Sequence, residues 1–318
     1  MVETLYKILV TDVVHNSGID YLKNHGYGLK FTTSTDEDVL IREIKDCDGV
    51  IVRGTKFTER IMASSSKLKV ICKHGVGVEN IDIEAARRLG LRVLNTPEAN
   101  YISVAEQTML LVLGCAKRFR IMQNASINRD YTIRARIFTD EICNKTLGLI
   151  GFGRVGSALA SIAINGFGMK VIVYDPYLPA GRAPESVQIT ADREKVFRES
   201  DFVSLHLPCT PETEKSVGAK EFEWMKPTAF LINTARGAIV DETALINALE
   251  SKIIAGAGLD VVKSEPPQED NALLKMDNVV LTPHNAASTT DAMARMSLHV
   301  AQGLDDFFSG RTPKWIVV

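Results

Sequence analysis

The chain has 318 residues, which at ~100 to 200 residues per domain points to two domains. Its 37 Lys+Arg and 39 Asp+Glu leave a net charge of −2, so no bulk field favours a polyanion and nucleic acid is not an expected partner. With 45% hydrophobic and 24% charged residues the composition is that of an ordinary globular protein, not of a disordered, fibrous or membrane chain.

The opening MVETLYKILVTD carries no basic segment followed by an apolar one, so no secretory leader is expected. Short β-branched apolar runs follow at Lys7–Val10, Gly49–Val52, 69–72 and 91–94, as strands buried on both faces of a parallel sheet require. Between them, DEDVLIREIKD and NIDIEAARRLG place apolar residues three and four apart, the period of a helix packing one face on a sheet. This is α/β alternation. Residues 101–118 read as one long connecting helix, and its densest apolar run, 109–116, falls far short of the ~20 residues of a membrane span. A second sheet begins near Thr146, with six runs: TLGLIG, KVIVYD, FVSLHL, AFLIN, AGAGLDVV and NVVLTP. The helical period of 289–308 returns the chain to the first sheet. Cys47, Cys72, Cys115, Cys143 and Cys209 form no CxxC pair and have no histidine at zinc-finger spacing. No disulfide framework or metal site is expected, and a reducing, cytoplasmic setting fits.

The sharpest motif is Gly151-Phe152-Gly153-Arg154-Val155-Gly156, between the strand TLGLI and the helical SALASIAI. A bare GxGxxG is weak, but here a strand precedes it and a helix follows, so the helix N-terminus offers N–H groups and a positive dipole end to a pyrophosphate. The next strand ends in Asp175, 19 residues after Gly156, where an acid accepts hydrogen bonds from adenosine ribose hydroxyls and repels a 2′-phosphate. NAD is therefore expected over NADP, with Arg182 the nearby cation that would oppose this.

Ligands of an open parallel sheet gather outside the carboxyl ends of its strands. Reading that edge strand by strand gives His206 and Pro208 after FVSL, Arg236 after AFLINT, Asp260 and Glu265 after AGAGL, and His284 after NVVLTP. A cation, a carboxylate and an imidazole converge there. Hydride transfer to a 2-keto acid needs a cation to hold the carboxylate and polarise the carbonyl, an acid to protonate the forming alkoxide, and a partner that keeps the acid charged. Arg236, His284 and Glu265 supply them, since a carboxylate beside an imidazole favours the imidazolium. Asp241 reads as a helix N-cap, and His15, His25 and His299 as structural or surface groups.

Over nearly its whole length the chain resembles the D-isomer-specific 2-hydroxyacid dehydrogenases, through HGVGVENID at 74–82, NTPEANYISVAE at 95–106, TLGLIGFGRVG at 146–156, LHLPCTPET at 205–213, LINTARGAIVDETAL at 231–245, GLDVVKSEPP at 258–267 and LTPHNAAST at 281–289. The resemblance implies an α/β fold of two doubly wound domains. One is a flavodoxin-like substrate domain of residues 1–99 plus 287–318, and the other an inserted Rossmann-like NAD-binding domain of residues 100–286 that carries a homodimer interface. It also implies the Arg236, Glu265, His284 triad. Backbone N–H groups of Val76 and Gly77 would hold the substrate carboxylate, with Asn100 nearby. Arg154 and Val155 would line the pyrophosphate, Ala235 and Asp260 the nicotinamide, and His206, Pro208, Thr213, Thr234 and Ala286 further parts of the cofactor. Within the family, IVRGTKFT at 51–58 and the closing GRTPKWIVV are most like the phosphoglycerate dehydrogenase branch.

Some positions depart from the family pattern. Lys73-His74 stands where Arg-Ala is more usual, Glu79 where Asp is common, and 120–138 lacks the frequent tryptophan. These bear on the substrate, so hydroxypyruvate, glyoxylate or another small 2-keto acid is an alternative. Arg53, after the strand GVIV, is the residue assigned to a phosphorylated substrate tail, the bland alternative being a pairing with an acid such as Glu59. NAD(H)-sensing corepressors share the family and its triad. They would be expected to carry basic or low-complexity extensions, and no regulatory extension for serine feedback is read here either.

Overall fold

The computed structural model describes residues 6–179 and 181–318. The chain divides into two compact units, Met1–Asn100 with Ser288–Val318, and Tyr101–Ala287. In the first unit β1 (Lys7–Val10), β2 (Gly28–Phe31), β3 (Gly49–Val52), β4 (Val70–Lys73) and β5 (Arg92–Leu94) form a parallel sheet in the order β2-β1-β3-β4-β5. That is the flavodoxin-like order.

Period-two alternation decides which side chain meets which helix layer. Leu9, Val50, Val52 and Ile71 point to a core shared with Leu40, Ile61 and Ala85 of the helices Glu37–Glu43, Glu59–Ala63 and Ile83–Arg88. Ile8, Val10, Ile51, Val70 and Cys72 point the other way, onto Ile19 and Leu22 of the helix Asn16–Asn24 and onto Val300, Ala301 and Leu304 of the helix Thr290–Phe308. The returning C-terminal segment thus completes the first sheet. It starts at Thr289, whose hydroxyl accepts the Ala292 N–H at 3.1 Å. It then crosses Asn16–Asn24 so closely that a Cβ at Gly18 would lie 2.2 Å from the Ser297 carbonyl oxygen. Ser297 Oγ donates to the His15 carbonyl at 2.6 Å, and Tyr27 donates to the buried Asp305 at 2.9 Å, closing the polar groups of that contact. Residues beyond the helix add an antiparallel bridge of Ile316 on Leu94.

In the second unit β6 (Thr146–Ile150), β7 (Lys170–Tyr174), β8 (Val187–Ile189), β9 (Phe202–Leu205), β10 (Phe230–Asn233), β11 (Gly256–Leu259) and β12 (Val279–Leu281) form a parallel sheet ordered β12-β11-β10-β9-β6-β7-β8. The order reverses at β6, which is flanked by β7 and β9. The helix Tyr101–Ala116 packs Leu111, Val112 and Cys115 on Leu147 and Leu149 of β6. Among the described residues no helix is long and apolar enough to cross a membrane.

Two strands differ from the sequence expectation, which had four runs in the first sheet and six in the second. Both additions, β2 (GLKF) and β8 (VQI), are edge strands with exposed residues. An edge strand has no need for a continuous apolar run, and these two, unlike the edge strands β5 and β12, have none, so periodicity does not mark them.

Gly18→Ala should lower stability by ~1 to 3 kcal/mol, because the new methyl meets backbone, not a movable side chain. Gly166→Ala, in the last turn of Arg154–Phe167 with nothing within 4 Å of its Cβ, should instead stabilise by ~0.4 to 1 kcal/mol, through the loss of unfolded-chain entropy. Thermal melts of the two variants check the opposed signs.

Candidate functional site

After β6 the chain turns at Gly151, where φ is +99°, into the helix Arg154–Phe167. Only glycine tolerates this turn: the conformation is left-handed, and a Cβ there would lie 2.5 Å from the His206 carbonyl. A Cβ at Gly156 would lie 2.6 Å from the Gly151 carbonyl, whereas at Gly153 it would meet nothing within 4 Å. The loop is therefore packed tightly beneath and open above, over the amino end of a helix of four turns. That is the shape a pyrophosphate needs, and it fits a dinucleotide.

Asp175, the residue after β7, accepts the Phe152 N–H at 2.8 Å and the Tyr177 N–H at 2.9 Å. It ties the glycine loop to the next strand end, and each of its oxygens keeps lone-pair capacity for a ribose hydroxyl. His206, after β9, is half-buried and shares a hydrogen bond with Ser204 Oγ at 3.0 Å. Desolvation pushes its pKa down to about 4, so the ring is neutral. Thr213 donates to the Pro208 carbonyl at 2.6 Å, and Thr234 meets Thr108 at 2.8 Å, so both hydroxyls brace the protein itself. The Ala235 N–H rests on Asn233 Oδ1 at 2.9 Å.

The second cluster lies at the same carboxyl edge. His284 Nδ1 is 2.6 Å from Glu265 Oε2, an exposed pair that leaves Nε2 available to a ligand. His284 follows β12 in the left-handed conformation, φ +51°, which is uncommon for a residue with a Cβ. Its N–H donates to the Asp260 carbonyl at 2.8 Å. The Asp260 carboxylate, 1% exposed, accepts from Thr282 Oγ1 at 2.6 Å, Asn285 N at 3.1 Å and Ala286 N at 2.9 Å. Three donors thus satisfy a buried charge and hold both flanks of His284. Glu265 Oε1 accepts the Val262 N–H at 3.3 Å, and Glu242 braces the same loop through Lys263 N at 2.9 Å and Asn271 Nδ2 at 3.0 Å.

Arg236 enters through packing. The following residue, Gly237, lies against the Val262 backbone, where a Cβ would be 2.0 Å from the carbonyl oxygen. The Arg236 segment therefore sits directly on the loop carrying Glu265, and Arg236 Nη1 donates to the Ala235 carbonyl at 2.8 Å. Asp241 caps the next helix by accepting from Thr243 N and Ala244 N. The sequence reading placed Asp260 near the cofactor and missed its structural work; a carboxylate inside the apolar run AGAGLDVV was the available signal, since such a charge must find N–H or O–H donors.

In the first unit, Asp12 accepts from Arg53 N at 2.8 Å and Gly54 N at 3.1 Å, which fixes the turn after β3, while Arg53 Nη2 reaches Ser288 Oγ at 3.3 Å. The pairing of Arg53 with Glu59 is not what forms. Glu59 bonds Arg88 Nη2 at 2.9 Å, because both lie on the helical layer, away from the strand end that carries Arg53. The loop after β4 is held at Gly75 by Thr96 and at Val76 by Asn95, with Val76 exposed and Gly77 beside it. Asn100 is buried, its amide 3.8 Å from Met296 Sδ. His74 is 2% exposed, neither ring nitrogen has a partner among the described residues, and desolvation, reinforced by the Arg53 charge, pushes its pKa down to about 4. Among the described residues no His, Cys, Asp and Glu cluster suits a metal ion.

Residues 109–286, more than half of the chain, match the family described as D-isomer specific 2-hydroxyacid dehydrogenase, NAD binding domain. Over 98% of its length the chain is 41% identical to a D-3-phosphoglycerate dehydrogenase of Methanocaldococcus jannaschii, of which it covers 59%. It is 37% identical to a hydroxypyruvate reductase of Thermotoga maritima, over 93% of this chain and 96% of that one. A solved D-isomer specific 2-hydroxyacid dehydrogenase from Lactobacillus delbrueckii ssp. bulgaricus, in its NAD complexed form, is similar with a TM-score of 0.81 and 30% identity, covering 98% of this chain and 100% of that one. The chain spans little more than half the length of the curated phosphoglycerate dehydrogenases it matches.

His74 gives a pH dependence of stability with a definite sign. Its folded pKa lies below the ordinary imidazole value near ~6.5, so between the two the unfolded chain binds the extra proton and stability rises with pH. The contribution is complete above that ordinary value and is lost as the pH falls from there toward about 4. Urea unfolding of the wild type and of His74→Leu across this window should show a steeper loss in the wild type, by up to ~3 kcal/mol. Parallel curves would show that His74 is not held neutral.

Proposed function

The chain belongs to the D-isomer specific 2-hydroxyacid dehydrogenases, and from that premise we propose that it transfers a hydride between NAD(H) and a small 2-hydroxy/2-keto acid pair, with 3-phosphoglycerate and its keto acid the first candidate. The observation that carries the reading is the His284 Nδ1 to Glu265 Oε2 contact of 2.6 Å, at the strand edge that also carries the open glycine loop.

The bound nicotinamide supplies or accepts the hydride. His284, oriented through Nδ1 by Glu265, presents Nε2 as the proton donor to the forming alkoxide, and as the base in the oxidative direction. Arg236 holds the carboxylate and polarises the carbonyl. The N–H groups of Gly153, Arg154, Val155 and Gly156 at the helix start receive the pyrophosphate, and Asp175 bonds the ribose, favouring NAD over NADP. Val76 and Gly77 N–H groups take the substrate carboxylate, Asn100 contacts the same substrate, and Arg53 meets a phosphate tail. A hydroxypyruvate or glyoxylate reductase is the second reading, favoured by the Thermotoga relative, which is matched over nearly its full length. The exposed apolar side chains Leu110, Phe119, Ile127 and Phe138 support a homodimer through the second unit, and the five free thiols suit a cytoplasmic setting.

Turnover of a panel of 2-keto acids with NADH tests the reading, and a wild type inactive on every member would end it. His284→Ala should lower kcat by ~10² to 10⁴ while NADH affinity, read by fluorescence titration, changes little. Arg53→Ala should raise KM for phosphohydroxypyruvate far more than for glyoxylate, which has no tail. Equal losses on the two substrates would move the assignment to the small-acid reductase.

A further inference from the structure

A single hydroxyl joins the Asp260 carboxylate to the long helix that opens the second unit. Thr282 Oγ1 donates to Asp260 Oδ1 at 2.6 Å and accepts from Gln107 Nε2 at 3.1 Å. A hydroxyl has one proton and an ionised carboxylate only accepts, so that proton is committed to Asp260 and the Gln107 amide meets the remaining lone pair. Each of the three groups thereby fixes the orientation of the next.

The same carboxylate holds Asn285 N and Ala286 N, and the Asp260 carbonyl holds His284 N. Residues 282, 284, 285 and 286 are therefore all bound to Asp260, with His284 in the left-handed conformation among them. Glu265 constrains only the ring of His284, through Nδ1; nothing in that contact fixes where the backbone places the ring. The bond from Thr282 is the shortest of the three the carboxylate accepts and the one anchored outside the turn, on the helix Tyr101–Ala116.

We propose that Gln107 and Thr282 are positioning residues for His284, acting through the Asp260 carboxylate to hold the turn that aims the imidazole. Its catalytic consequence rests on the dehydrogenase reading; its geometric content does not.

The test uses the full chain with Thr282→Val, Thr282→Ser, Gln107→Leu and the Thr282→Val/Gln107→Leu double variant. Two readouts are taken: steady-state kinetics with NADH affinity, and the ring resonance of His284 in ¹³C-histidine-labelled protein, assigned with His284→Gln. Thr282→Val should lower kcat ~10- to 100-fold with NADH affinity nearly unchanged, and Thr282→Ser should restore it. Gln107→Leu should give a smaller loss in the same direction, and should add nothing to Thr282→Val, because both act through one bond. The His284 resonance should shift or broaden in Thr282→Val and return in Thr282→Ser, while those of His15 and His25 stay in place. A Thr282→Val protein with wild-type kcat and an unmoved His284 resonance overturns the proposal, as do losses that multiply in the double variant. Should Thr282→Val fail to fold, Gln107→Leu carries the same two readouts. A wild type that turns over no 2-keto acid sinks the dehydrogenase reading, and the resonance still decides the positioning.

Discussion

The buried carboxylate of Asp260 is the constraint on which the turn carrying His284 depends. A charge in an apolar interior is tolerated only when several donors surround it, and here those donors come from the turn that carries His284. Solvation of the charge and shape of the turn are one problem with one solution. Because the backbone of residue 260 also accepts the His284 N–H, the left-handed conformation is enforced from the carbonyl and from both flanks. The imidazole is exposed while the carboxylate that holds its turn is buried, so the side chain meets solvent on a frame fixed from inside.

The remaining parts follow from the parallel sheet. Every strand of β6, β7, β9, β10, β11 and β12 ends at one edge, and each contributes a loop there, so residues as distant as Gly151 and His284 become neighbours of a common rim without any long-range pairing of their own. Contacts between loops then set the register. Gly237 pressed on Val262 joins the Arg236 segment to the Glu265 loop, and Gly151 pressed on the His206 carbonyl joins the nucleotide turn to the end of β9. The first unit repeats the arrangement with fewer strands, and its edge presents Arg53 and the Gly75–Gly77 loop above the buried His74.

Much of this was legible in the sequence wherever one local rule sufficed. Strands buried on both faces read as apolar runs, the glycine spacing between a strand and a helix marked the tight turn after β6, and the strand-end positions of Arg236, Glu265 and His284 placed all three at one edge of the sheet. What stayed hidden depends on partners far apart in the chain. β2 and β8 need only one neighbour and have mixed composition, so no pattern distinguishes them from loop. The choice of Arg88 over Arg53 by Glu59 depends on which layer each side chain faces. The donors of Asp260 lie 22 to 26 residues away, beyond the reach of any spacing rule.

The helix Thr290–Phe308 covers a face of the first sheet that is otherwise built entirely from the opening hundred residues. In synthesis from the amino end, the whole of the second unit leaves the ribosome before that helix exists. Ile8, Val10, Ile51, Val70 and Cys72 therefore wait with only the helix Asn16–Asn24 to cover them while the second unit is made. Until Thr290–Phe308 is made, part of that apolar sheet face has no partner from its own unit, so the unit begun first is the last to have all its parts.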